Sequence, residues 1–453
     1  MSVLVNYKGE QIASVEAQQT KTLETQGKYC EGNIILTDNS NPVAEENDVI
    51  FIDYDGTIRY SYSAAEFAAL SALPANPVHD RLTSQGWNWT LADAKAYVQK
   101  YGGLVIGQSY ISKNGKTRIY ITLSYAALSP KLLLRINGSV DLSWGDGTTE
   151  TVTGTAIGTN IHIPHEYATP GDYVIEFAVT GLVVIGVNNG AYRLLSTGSS
   201  TGNANIIYAS CVTAVELGAN VEIDRYAFTS LQSLKYITLP SGLGVRNGNQ
   251  SSFIYCASLQ ALVIPTAMTE SGSLRENFAM KYVAMHKNYT VPGEGFRSCY
   301  ALARATLPET ASLPYRVFYT CYSLKDVQFP DTLASMSTEE LYNAYSLAAV
   351  RLTSSTPPTV SAANSLAVYR SDCKFYVPFS GLAAYLTATS YPSPSTYTYI
   401  GFATYANGVT LPTQDSTQAY NVVWYATRKD AINEANPIST GNGKEIYCRY
   451  TAV

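Results

Sequence analysis

Between about residues 205 and 353 the apolar positions of the chain recur in one register. "FTSLQSLKYITLP" (228–240), "FIYCASLQALVIP" (253–265), "FRSCYALARATLP" (296–308) and "FYTCYSLKDVQFP" (318–330) align without gaps. "LYNAYSLAAVRLT" (341–353) is a fifth, weakened copy, and a degenerate copy is expected to end at Val291-Pro292. The register is Phe, then Leu, Cys or Ala at +3, Leu at +6, mostly Ile, Leu or Val at +9, Leu, Ile or Phe at +11, and Pro at +12. The first three positions fall every third residue, as on one side of a tight helical turn, and the last two alternate, as in a strand. Pro ends the strand because it has no N–H for the ladder. Each unit carries an apolar edge it cannot bury alone, so the copies must stack into a solenoid.

The outward strand positions, +8 and +10, escape the apolar rule. They hold Tyr236 and Thr238, Arg304 and Thr306, Asp326 and Gln328, and Arg351; the +4 position adds Tyr300, Tyr322 and Tyr345. Equivalent positions of stacked units line up as ladders, so these ten residues are expected to form a receptor-binding surface. The alternative for the tyrosines is that each ring covers the repeat below.

Elsewhere the pattern changes. Residues 1–46 read as a small β module with Gly and polar turns. In "VIFIDYDGTIRYSYS" two alternating runs flank Asp55-Gly56, which predicts a β-hairpin with a type I′ turn. Ser63 and Glu66 form a capping box that opens a short helix, and Thr90 caps a second one closed by Gly102-Gly103. Trp87 and Trp89 between them are expected to cap a small core; the alternative is a sugar-stacking platform. From 113 to 181 the chain reads as all-β, with Asp146-Gly147 repeating the turn chemistry. The predicted organisation is mainly β and modular: 1–46 anchor, 47–112 mixed α/β spacer, 113–181 β-sandwich, 182–400 solenoid, 401–453 small β domain.

Four resemblances bear on this reading. "IDYDGT" matches the D-x-D-G-T opening of haloacid-dehalogenase phosphotransferases, which would make Asp53 a nucleophile and Asp55 an acid/base. That class needs a large α/β domain after the motif, whereas strands and turns follow here, so the hairpin is the preferred reading. "Y-x-G…T-K-T-L…G-K-Y-C…I-x-L" at the N-terminus resembles short modules of phage and prophage tail proteins. Trp144, Asp146, Gly147, His165, Tyr167, Pro170, Gly171 and Tyr173 match a PKD-like, immunoglobulin-type sandwich. The repeat register and the segment from Thr356 to Tyr391 resemble the leucine-rich repeats of bacterial and viral surface proteins.

Composition narrows the function. Charged residues are 14% of 453, the formal net charge is -5, and there are 36 Tyr. The weak negative balance argues against nucleic acid, and a Tyr-rich polar surface suits recognition. Seven Cys without a C-x-x-C predict neither disulfides nor zinc, and Cys256, Cys299 and Cys321 at +3 read as small core residues. His162-Ile-Pro-His165 cannot place both rings on one helix face because of Pro164, so His165 reads as structural. No basic n-region or 18-residue apolar run is present, so neither a signal peptide nor membrane insertion is expected. No nucleophile–base pair or phosphate loop survives, so no enzyme activity and no cofactor are expected. The expected function is recognition of a host cell-surface glycan or protein by a virion protein made in the host cytoplasm, resembling a phage tail fibre. It would assemble as a homotrimer and join other virion proteins through its N-terminal module. The alternatives are a head fibre or decoration protein, a bacterial cell-surface adhesin, and a phosphatase or glycan hydrolase.

Overall fold

The structure is a computed structural model that describes residues 2–5, 11–15, 29–30, 33–34, 49–187, 193–198, 204–247, 251–269, 272–362, 365–366 and 368–452. It is mostly β, about a tenth helical, and built around a stack of parallel coils. In the first segment two antiparallel pairs are described, Ser2–Val5 with Gln11–Val15 and Tyr29–Cys30 with Asn33–Ile34. The rest of the expected anchor, and most of its tail-protein-like pattern, lies outside the described residues.

Residues 49–112 form a four-stranded sheet in the order Ile58–Tyr62, Val49–Ile52, Leu104–Ser112, Leu82–Trp87. Val49, Phe51, Leu104 and Ile106 face the helices Ala64–Ala69 and Leu91–Tyr101, burying Phe67, Trp89, Tyr97 and Val98. Ile50, Ile52 and Val105 face the other way, onto the coils. A strand buried on both faces reads as an unbroken apolar run rather than an alternation, which explains "VIFI" and "LVI". Both helix starts are as expected: Ser63 and Glu66 close a capping box, and Thr90 accepts from the Asp93 amide.

The hairpin at 49–62 forms, but its turn differs from the type I′ expectation. Asp53 N–H donates to the Thr57 carbonyl at 2.9 Å and Gly56 N–H to the Asp53 carbonyl at 3.0 Å. Gly56 takes φ 86° whereas Asp55 is not left-handed. This is a type I turn followed by a glycine bulge, for which one positive φ suffices.

The second module is all-β. Strand Lys131–Ser143 pairs with Thr149–Thr155 and Gly171–Ile185 along its second half and with Ile161–Pro164 along its first. Trp144 is buried, donates to Glu150 and accepts at its carbonyl from the Tyr167 hydroxyl. The His165 ring stacks on Trp144 at 4.4 Å and lies 2.8 Å from Asp146. Burial would raise the Asp146 carboxyl, but Thr148 and His165 hold it down to about 2. Strand Thr117–Leu123 of this module pairs with Val212–Glu216, the first strand of the coil sheet, so the module closes one end of the stack.

The coils then run in parallel. Val212–Glu216 pairs with Tyr236–Thr238; Ala261–Val263 with Tyr282–Ala284; and Arg304–Thr306, Asp326–Phe329, Ala349–Leu352, Lys374–Pro378 and Thr398–Thr404 follow in register. The degenerate copy is not where it was expected. Its apolar positions are Leu274, Met280, Val283 and Met285, with the strand ending before His286. At its +3 position, where neighbouring coils carry Cys, Asn277 donates to the Phe253 and Leu274 carbonyls.

In the coils that carry Cys at +3, the thiol does the same with one bond: Cys256 donates to Phe228, Cys299 to Leu274 and Cys321 to Phe296. Burial pushes the thiols of Cys256 and Cys299 up to about 12. The last strands, Glu445–Ala452, Tyr420–Tyr425 and Pro437–Ile438, add antiparallel to Thr398–Thr404 and close the other end. Both free edges of a long parallel sheet are thereby covered, as solenoids require.

Candidate recognition surfaces on the repeat stack

The six coils that begin at Phe228, Phe253, Leu274, Phe296, Phe318 and Leu341 each turn through left-handed backbone at two positions. At +2 stand Ser230, Tyr255, Glu276, Ser298, Thr320 and Asn343, with φ 58–63°. At -2 stand Tyr226, Ser251, Gly272, Glu294, Arg316 and Glu339, with φ 55–66°. Non-glycine residues adopt this geometry at a cost, so the stack must supply the compensation. It does so by a lateral ladder: the +2 amides of Ser230, Tyr255, Glu276, Ser298 and Thr320 each donate to the +1 carbonyl of the next coil at 2.8–3.2 Å.

That turn ladder projects the +4 side chains outward. Phe278, Tyr300, Tyr322 and Tyr345 occupy four successive coils, and Tyr369 follows them. Ring centroids are 4.8 Å apart from Phe278 to Tyr300, 4.8 Å from Tyr300 to Tyr322, 5.7 Å from Tyr322 to Tyr345 and 4.9 Å from Tyr345 to Tyr369. The five side chains remain 37–51% exposed. Beside them runs a second row in which Tyr319 stacks on Tyr342 at 5.4 Å, with the guanidiniums of Arg297 and Arg316 over the Tyr319 ring. Glu294 pairs with Arg275 and Arg297, and Glu339 with Arg316, so the charges of this row are matched.

The strand ladder has a different fate. Ala261, Val263 and Ala284 hold the +8 and +10 positions of the second and third coils, and they pack under Ile50, Ile52 and Val105. Gly107 lies so close that a Cβ there would meet Val263 and Ala284 at 2.6–2.7 Å. Asn88 donates to the Ile264 and Ala284 carbonyls and accepts from the Gly107 amide. The Trp89 indole donates to Met285, and the Tyr97 hydroxyl to Leu307 at 2.6 Å. Residues 49–112 are therefore a cover docked on the sheet, where a spacer was expected over 47–112. Trp87 and Trp89 serve its core and interface, as the core reading had it, and Trp87 donates to the Pro74 carbonyl.

The expected ten-residue surface is thus split. Thr238 and Thr306 are buried, and Tyr236 packs against Tyr54 of the cover at 4.8 Å. Arg351 is 7% exposed, lies over the Phe402 ring at 3.8 Å and is paired with Glu445 of the C-terminal strands. Burial would raise the Glu445 carboxyl, but Arg351 beside it brings it below its ordinary value. Arg304, Thr306, Asp326, Gln328 and Arg351 do come together, with Arg428 and Gly103, around a cavity of about 30 Å³. That is room for about two waters, not for a receptor. The open-ladder expectation fails for Thr238, Thr306 and Arg351, which are buried, while Arg304, Asp326 and Gln328 are half-buried. It holds for Tyr300, Tyr322 and Tyr345, which form an open column that the sequence reading left without Phe278 and Tyr369.

Asp53 and Asp55 lie in the hairpin turn of the cover. Asp53 is fully buried and bound by Arg59 at 2.7 Å and His79 at 2.9 Å, while the Asp55 carboxylate accepts from the Thr57 amide within the turn.

Residues 203–311 and 289–363 match the family described as BspA type leucine rich repeat region, in six copies. The matched part of the stack is similar to a BspA-type leucine-rich repeat region. It spans about a third of the chain. No curated protein and no solved structure matches the chain. The matched span holds the six coils that begin at Phe228, Phe253, Leu274, Phe296, Phe318 and Leu341 and the strand Val212–Glu216 before them. The match to BspA-type repeats is confined to residues 203–363, and the flanking modules lie outside it.

Proposed function

We propose that the chain is a non-enzymatic attachment protein that recognises a cell-surface glycan or protein through the aromatic column of its BspA-type repeats. The observation that carries this reading is the row Phe278, Tyr300, Tyr322, Tyr345 and Tyr369, five aromatic rings kept 37–51% exposed on a rigid stack. Tyrosine offers a large apolar face and a hydroxyl with two torsions to fix, so a preformed row binds at small entropic cost. The adhesin-type repeats support a surface role, whether on a bacterial cell or on a particle that attaches to one. The tail-fibre reading is supported by the N-terminal resemblance alone. Assembly through the N-terminal strands into a trimer would multiply the column's weak single contacts.

The test is attachment of the labelled full chain to the target cell. Tyr300→Ala, Tyr322→Ala and Tyr345→Ala should each weaken binding by about 1–3 kcal/mol, as central aromatic anchors do. Unchanged attachment of the triple variant removes the reading.

A further inference from the structure

A second binding site lies at the junction of the cover, the sandwich and the first coil, well away from the aromatic column. A cavity of about 270 Å³ is lined by Tyr54, His79, Asp80, Arg81, Leu82 and Glu216. Such a volume sits near the lower end of ordinary ligand pockets, roughly 300–1,000 Å³, and pockets favour domain junctions. It has room for one ring and not for an extended chain.

The lining is polar and prearranged. Glu216 is 1% exposed, yet its Oε2 has no hydrogen-bond partner. Its ion pairs are long, 3.5 Å to Arg118 and 3.7 Å to Arg81, and the Tyr236 hydroxyl is 3.4 Å from Oε1. Oε2 is closed off beside Arg118, whereas Oε1 has only the long contacts to Arg81 and Tyr236, so a hydroxyl donor arriving in the cavity would give Oε1 a shorter bond. Opposite it, His79 is anchored by Asp53 at 2.9 Å, so its ring is fixed. Tyr54 supplies an apolar wall and is itself held by the rings of His79, Tyr110 and Tyr236 at 4.8–5.6 Å. Arg81, with its side chain 60% exposed, stands at the mouth, over the Tyr120 ring.

Charge selects the ligand class. The carboxylates at and behind the cavity, Asp53, Asp80, Glu216 and Glu176, are equalled in number by the cations Arg59, Arg81, Arg118 and Lys116. A ligand with net charge gains nothing from a balanced site and loses its hydration. A neutral ring bearing several hydroxyls gains twice, by donating to Glu216 and by laying its C–H face on Tyr54. We infer that this junction binds one residue of a neutral saccharide. The site is independent of the aromatic column.

The probes are the methyl glycosides of glucose, galactose, mannose and N-acetylglucosamine, each titrated into the full chain and read by saturation-transfer NMR. Glucuronic acid and glucosamine serve as charged controls. At least one neutral glycoside should receive saturation and bind more tightly than both controls. Arg81→Ala and Glu216→Gln should each weaken it by about tenfold or more, and Tyr322→Ala should leave it unchanged. Arg81 is exposed, so its variant reports on the site even where loss of the Glu216 charge impairs folding. No saturation of any of the four glycosides overturns the inference, as does preference for a charged control or equal binding by the Arg81→Ala chain. A failed aromatic column with an intact junction, or the reverse, separates this inference from the proposed function.

Discussion

The strand face and the turn face of the same coils begin with the same geometry and end with opposite fates. Both repeat with the coil period, both project a ladder of side chains, and both include polar and aromatic residues. On the strand face, Ala261, Val263 and Ala284 leave a flat apolar patch, and the sheet Val49–Ile52 with Leu104–Ser112 covers it. On the turn face, Phe278, Tyr300, Tyr322, Tyr345 and Tyr369 stand clear at nearly even spacing, and no described module covers them. A solenoid ladder is thus a surface only where its own chain does not occupy it. Small apolar residues at outward strand positions mark an internal interface, whereas large amphipathic ones at the turns mark an external surface.

The largest effect should come from prying the cover off the strand face. Asn88→Ala leaves the Ile264 carbonyl and the Gly107 amide without this side chain's bonds in the interface and takes one of two bonds from the Ala284 carbonyl, which keeps the Ile264 amide. At about 1–3 kcal/mol per orphaned group, urea unfolding should show a loss of about 3–5 kcal/mol. A loss under about 1 kcal/mol would mean that the cover is not docked as described.

Next in size is a pH effect beneath the turn face. Glu340 is fully buried, its Oε2 accepts from the Val317 amide, and its Oε1 has no partner. Burial pushes its carboxyl up to about 8, only partly offset by backbone amides. The folded group therefore holds a proton that the unfolded group, titrating near 4.5, has lost. Stability should fall as pH rises from about 4.5 to about 8, at up to about 1.4 kcal/mol per pH unit from this group, and level off above. Glu340→Gln should flatten that slope in denaturation curves taken across the window; an unchanged slope assigns it to other groups.

The smallest effect concerns the left-handed turns. At Glu276, φ 63°, Gly should be neutral or stabilising by up to about 1 kcal/mol, while the β-branched Val should cost about 1–2 kcal/mol. Equal melting temperatures for the two variants would show that the turn relaxes freely.

Much of this was legible in the chain. The coil register set the core, because Phe at the first position and Leu at +6 have no other place to be buried. The caps at Ser63 and Thr90 were legible because they are local. The copy at 274–286 was hidden because Asn277 replaces Cys with a different pair of hydrogen bonds and His286 stands where Pro should end the strand. The two left-handed positions per coil were hidden because they carry ordinary side chains and rely on neighbouring coils for their bonds. The docking of residues 49–112 was visible in principle. The unalternating "VIFI" and "LVI" signal strands buried on both faces, and Ala261, Val263 and Ala284 signal the matching patch. The aromatic column was read at Tyr300, Tyr322 and Tyr345 but cut short at both ends, since Phe278 belongs to the hidden copy.

Thiol labelling tests the contrast between the two faces without any knowledge of the receptor. Cys211, Cys256, Cys299, Cys321, Cys373 and Cys448 are buried, so a chain with Cys30→Ser gives a quiet background. Single cysteines are then placed at Tyr322, 41% exposed, and at Val263 and Ala284, 6% and 0% exposed. The account predicts that Tyr322→Cys reacts with a soluble maleimide at the rate of a free thiol, and that Val263→Cys and Ala284→Cys react at least about a hundredfold more slowly, because the cover must open first. Equal rates at the three positions would contradict it.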